Sequence, residues 1–96
     1  MSDKCKHCAF WIVDVAYQLG RASELVDSDT RSAKSLASLS SFLLQKEVKK
    51  CIDVKEIRKK ISEGVGLIGK GDPLRAYNAL SSAKHSLAQK AKNMCV

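Results

Sequence analysis

Residues 5–26 read CKHCAFWIVDVAYQLGRASELV, and within them Cys5, Cys8, Ile12, Val15, Leu19, Ala22 and Val26 follow one another at spacings of 3, 4, 3, 4, 3 and 4. This is the apolar seam of a long helix that packs on other helices. Phe10, Val13 and Tyr17 make a second, shorter stripe in the same stretch. At about 100° per residue that stripe falls on nearly the opposite side of the helix. The amino-terminal half is therefore expected to be covered on two faces, and the outer stripe to meet a protein partner or a second copy of the chain, making a homo-oligomer.

Outward from this helix, the cluster Asp27-Ser28-Asp29-Thr30 carries side chains that cap helix starts and ends the apolar pattern. A second helix follows with Ala33, Leu36, Ala37, Leu43, Leu44, Val48 and Cys51, interspersed with Ser35, Ser38, Ser40 and Ser41. Asp53, followed three residues later by Glu56, has the acidic form of a capping box and opens the series Val54, Ile57, Ile61, Val65, Ile68. Gly69 and Gly71 signal the end of that third helix, and Asp72-Pro73 is an N-cap with proline at the first helical position. The fourth helix carries Ala76, Leu80, Ala83, Leu87, Ala91 and Met94.

These signals predict helices over 3–26, 30–51, 54–69 and 73–94 in one all-α domain spanning 1–96. Short connections force neighbouring helices to run antiparallel, so the expected architecture is an up-down-up-down four-helix bundle. The alternative is a continuous helix over 30–68, giving three helices whose core is completed by dimerisation.

The 96 residues supply one core, and a 45% hydrophobic content with a single proline is that of a globular chain. No stretch approaches the roughly 20 apolar residues of a membrane span. The apolar run Ala9–Val13 is interrupted by Asp14 and no cleavage site follows, which predicts a chain that is not exported and resides in the cytoplasm.

Residues 64–71, GVGLIGKG, match the G-x-G-x-x-G dinucleotide pattern and the first part of a phosphate loop. Both patterns require a preceding β-strand, whereas the preceding EIRKKISE is charged and helical in period, and Gly71 stands where a magnesium-binding hydroxyl is needed. The expectation is a helix end, with close packing at Gly64 and Gly66.

In an up-down-up-down bundle the start of the first helix and the ends of the second and fourth share one end, which brings Cys5, Cys8, Cys51 and Cys95 towards each other. Four thiolates satisfy a tetrahedral zinc ion, although the usual ligand pattern has two close pairs. Disulfides from Cys5 or Cys8 to Cys51 or Cys95 are the alternative, and buried independent thiols the third. His7 is a further candidate ligand beside Lys6.

The same end collects the charge. Eleven basic residues (Lys4, Lys6, Lys46, Lys49, Lys50, Lys55, Arg58, Lys59, Lys60, Lys90 and Lys92) face only Asp3, Glu47, Asp53 and Glu56 there, so the net +7 of the chain belongs to that end. Lys46, Lys49, Lys50, Lys55, Arg58, Lys59 and Lys60 are accordingly candidates for binding nucleic acid or another polyanion without sequence specificity. The five aromatic residues are not interleaved with the basic run, which argues against base stacking. The field would also favour ionisation of nearby thiols.

Catalysis has little support in the residues. His7 and His85 are the only histidines, and ten residues separate Arg75 from His85, about 80° in azimuth and about 15 Å along a helix. The functional expectation is a small non-enzymatic interaction or adaptor protein working through its first helix, with polyanion binding and a thiol-based metal or redox site as alternatives.

Overall fold

The computed structural model describes the backbone of residues 3–92 and the side chains of residues 6–92. Its helices are α1 (Asp3–Glu24), α2 (Thr30–Lys46), α3 (Lys55–Gly69) and α4 (Pro73–Lys92), with a short 3-10 turn over Val48–Lys50. Each helix packs on its neighbours in sequence and α4 closes against α1, giving the antiparallel four-helix bundle. The chain does not run as one helix over 30–68, because residues 51–54 break it.

The core is built from the seams read in the sequence. Ile12, Val15, Leu19 and Ala22 of α1 meet Ala33, Ala37 and Leu44 of α2, Ile57, Ile61 and Ile68 of α3, and Ala76, Leu80, Ala83 and Leu87 of α4, all buried. Alanines on α2 and α4 let the backbones approach, while branched side chains on α3 fill the space between. Ser40 takes a fully buried place on α2 that the apolar pattern does not announce. Its hydroxyl donates to the Leu36 carbonyl at 2.9 Å and reaches Gln18 Oε1 at 3.4 Å, so the buried oxygen is satisfied. Leu36 and Leu43, expected in the buried series, flank the core instead.

Several ends differ from the sequence expectation for identifiable reasons. α1 stops at Glu24 rather than 26, and Val26 stays buried in the turn that follows. α2 ends at Lys46 rather than 51, since the chain tightens into the 3-10 turn that buries Val48 and carries Cys51 towards α1. The expected capping box at Asp53 does not form: its carboxylate accepts the Lys55 N–H at 3.1 Å, and buried Val54 occupies the N-cap position. The predicted end of the fourth helix at 94 lies outside the described residues.

At the opposite end the local signals act as read. Asp29 caps α2 by accepting the Ser32 N–H at 3.1 Å and the Ser32 hydroxyl at 2.8 Å. The hydroxyl bond, with the backbone bond adding to it, holds the Asp29 carboxyl below the usual carboxylate range. Gly71 closes α3 with φ of +75°, its N–H donating to the Ile68 carbonyl and the Asp72 N–H to Leu67. Residues 64–69 are the last turns of α3, not a loop after a strand. Gly64 is closely packed, since a Cβ there would lie 2.8 Å from Leu80 Cδ2; Gly66 is not, with nothing within 4 Å of such a Cβ.

Candidate functional site

The start of α1, the 48–52 segment and the start of α3 gather at one end of a body measuring 43 × 18 × 18 Å. There a disulfide joins Cys8 to Cys51 across 43 positions of sequence, with Cα atoms 6.1 Å apart. Cys8 sits on the buried seam of α1, and the shortened end of α2 swings Cys51 to meet it. This is one of the pairings expected from the bundle topology. The other two cysteines cannot be placed beside it, since the side chain of Cys5 and all of Cys95 lie outside the described residues.

In a disulfide neither sulfur is a thiolate, so a zinc site using Cys8 and Cys51 would require the reduced chain. Among the described residues no group of three or more His, Cys, Asp or Glu side chains converges to hold a metal ion. His7 is exposed and its Nε2 lies 3.2 Å from Glu47 Oε2, tying α1 to the end of α2 beside the disulfide. Glu47 also lies 3.8 Å from Lys50 Nζ. The pairing of Glu47 with His7 depends on the register of α1 against α2, which no local sequence signal carries.

The candidate polyanion residues divide into two sets. Arg58 turns towards α2, donating to Ser41 Oγ at 3.2 Å and to Gln45 Oε1 at 2.8 Å. Lys60 turns the other way and donates to Ser86 Oγ of α4 at 2.8 Å, while Lys46 lies over the Phe42 ring. Lys90, also at this end, donates to the Asp53 carbonyl at 3.0 Å. Lys49, Lys55 and Lys59 are exposed and make no ion pair or side-chain hydrogen bond among the described residues. They are the cations available to an outside anion. Along α3, Lys59 points away from the buried face and Lys60 flanks it, a difference readable from the 3.6-residue period once Ile57 and Ile61 are fixed in the core.

The third arrangement is the outer face of α1. Phe10, Val13 and Tyr17 are 65%, 69% and 67% exposed, on the side opposite the seam. Charged, exposed residues bound them at both ends: Lys6 one turn before Phe10, and Arg21 and Glu24 after Tyr17, the last two 3.1 Å apart. Phe10 meets Trp11 edge to face at 5.3 Å between centroids. Leu39 and Phe42 of α2 are exposed as well, Phe42 beside the groove between α2 and α3 that Ser41, Arg58 and Val65 line. Phe42 stands nine residues after buried Ala33, half a turn out of phase with it, so the helical period alone puts it on the outer side of α2.

The titratable groups of α4 make no cluster. His85 Nε2 is 3.3 Å from Gln89, and Arg75 is 3.8 Å from Asp72. No helix among the described residues is long and apolar enough to cross a membrane. Comparison with protein-family models, with curated proteins and with solved structures finds no match for the chain.

Proposed function

We propose that the chain is a non-enzymatic interaction protein that binds a protein partner or itself through the outer face of α1. The observation that carries this reading is the exposure of Phe10, Val13 and Tyr17, each about two-thirds open on a helix whose other side is fully engaged in the core. Single exposed apolar residues are ordinary, but three on successive turns of one helix face form a contiguous surface. A photoactivatable residue placed at position 13 should give adducts in an extract of cells that make the protein, and one at exposed Asn78 of α4 should not. Equal adduct yields at the two positions would discredit the α1 face.

A second reading rests on a different observation, the concentration of basic residues towards the disulfide end, with Lys49, Lys55 and Lys59 unpaired there among the described residues. These residues attract a polyanion through its phosphates rather than its bases. Lysine offers a point charge in place of the two-pronged geometry that reads a guanine edge. Contact with about four phosphates predicts that binding to a duplex of arbitrary sequence falls on the order of a hundredfold between 50 and 200 mM salt. Replacing Lys49, Lys55 and Lys59 together by Glu should abolish it, whereas Lys60→Glu alone should have a smaller effect. A fluorescence-anisotropy titration at low salt showing no binding to DNA or RNA excludes this reading.

A further inference from the structure

We propose that the groove between α2 and α3 seats an acidic amphipathic helix of another protein, its apolar side on Phe42 and Val65 and one of its carboxylates on Arg58. The groove shares no residue with the outer face of α1 and stands independently of it.

Two rows of side chains border this groove. On α3, Arg58, Ser62, Val65 and Gly69 recur at helical spacing, and the bonds from Arg58 to Ser41 and Gln45 show that this row faces α2. The acids of α3, Glu56 and Glu63, stand in a different row with Lys60, which bonds Ser86 of α4. On α2 the facing row is Lys34, Ser38, Ser41 and Gln45, and the whole helix from Thr30 to Lys46 contains no acidic residue. The acids nearest its two ends are turned to helix starts, Asp29 accepting from Ser32 and Asp53 from the Lys55 N–H. Among the described residues, then, no carboxylate lines the groove. Cations do: Arg58 lies in its wall, Lys34 Nζ approaches Gly69 at one end, and Lys46 covers Phe42 towards the other.

Arg58 is half-buried, yet both of its partners are neutral oxygens. Those bonds take two of the five guanidinium N–H groups and fix the fork in place, leaving the remaining donors for a carboxylate. The groove encloses about 360 Å³, and Phe42, Ile61 and Val65 give it an apolar wall. An occupant matched to it is apolar on one side and anionic beside that. A helix meets the requirement better than an extended peptide, because the described residues form helices and offer no strand edge to pair with an extended backbone. Lys34 and Lys46 are twelve positions apart on α2, about 18 Å, so a helix of about three turns meets a cation at each end. Duplex nucleic acid has no apolar face to set on Phe42 and Val65, and its phosphates are better served by the exposed lysines at the disulfide end.

Fluorescence anisotropy with a labelled synthetic peptide of about 16 residues, leucines along one helical face and glutamates on its flanks, tests the proposal on the purified, oxidised chain. A single groove is a small contact, so binding in the micromolar range is expected. Arg58→Gln should weaken it about tenfold or more. Lys59→Gln removes the same charge one residue away, on the outer side of α3, and should change binding by less than about twofold. Ser62→Glu alters an exposed position one turn after Arg58, supplies the missing carboxylate from within the chain, and should abolish binding with the thermal melt unchanged. Equal losses in Arg58→Gln and Lys59→Gln would reduce the effect to general attraction and overturn the groove. A loss in Tyr17→Ser with Arg58→Gln unaffected would move the peptide to the α1 face and overturn it equally. No binding of the peptide also overturns the proposal, and duplex binding that falls with Arg58→Gln would then assign the groove to a polyanion.

Discussion

Reduction of the Cys8–Cys51 bond is expected to cost the fold about 4 kcal/mol, the loop-closure entropy recovered by the unfolded chain when a cross-link spanning 43 positions is opened. A domain of this size has only about 5–15 kcal/mol to lose, so the reduced protein should remain folded at room temperature but melt about 15–30 °C lower. Urea unfolding with and without reductant, repeated on the double variant Cys8→Ser, Cys51→Ser, measures it. The denaturant slope should rise on reduction, because an uncrosslinked unfolded state exposes more surface. Two consequences are specific to this molecule. The bond holds α1 against the Lys49–Lys50 segment and so keeps like charges together; the reduced form should therefore gain more from added salt than the oxidised one. Cys8 is buried but Cys51 is only half-buried, so a reductant should attack the bond of the folded chain at the Cys51 sulfur, leaving the Cys8 thiol inside. A stability difference below about 1 kcal/mol would mean that the cross-link closes structure already present in the unfolded chain.

The second large effect is expected at Gly64. A methyl group there would stand 2.8 Å from Cδ2 and 3.0 Å from Cγ of Leu80, a side chain with no exposed surface to retreat into. Gly64→Ala gains about 1 kcal/mol in helix propensity and loses about 1–3 kcal/mol to overpacking, so the net change is destabilising; Gly64→Val adds two further methyl groups at the same contact and should cost about 3 kcal/mol or more. Gly66 is the internal control. It lies two residues on in the same helix with nothing within 4 Å of its would-be Cβ, and Gly66→Ala should stabilise by about 0.5–1 kcal/mol. Opposite signs from the same substitution in one thermal-melt series would establish that α3 and α4 meet through Gly64. If both variants are stabilised, Leu80 yields and the contact is not tight.

What could be read from the chain before its structure was local. The 3-4 spacing from Cys8 to Val26 placed α1 and its two faces, Asp29 and its neighbours placed the start of α2, and Gly71 with Asp72-Pro73 placed the α3–α4 turn, because each signal acts within one or two helical turns. Properties that depend on the register between helices were less accessible. Ser40 is buried because Gln18 and Leu36 offer it oxygens, and nothing in a serine-rich stretch distinguishes it from Ser38 or Ser41. Lys60 is held by Ser86 while Lys59 has no partner among the described residues, although the two are adjacent in a basic run. Topology brought Cys5 and Cys8 to the end that holds Cys51, but which of the two pairs with it depends on about one turn of relative height. The capping residue at Asp53 was misplaced by one position for a similar reason, since burial of Val54 decides where α3 begins. The outer stripe of α1 was legible as an exposed apolar surface, because its spacing off the buried seam depends on the period of one helix alone.

The disulfide also decides how the molecule would carry mechanical load. A pull applied between residues 6 and 92 passes from residue 8 directly through the sulfur bridge to residue 51, so the 42 residues between them bear no tension. At about 3.5 Å per extended residue, some 150 Å of contour is withheld, and the lengthening falls to the chain from residue 51 onward, chiefly α3 and α4. Most of α1, with Val13 and Tyr17, lies inside the shielded ring. A partner seated there would be held by a surface that stays slack while the remainder of the bundle is drawn out.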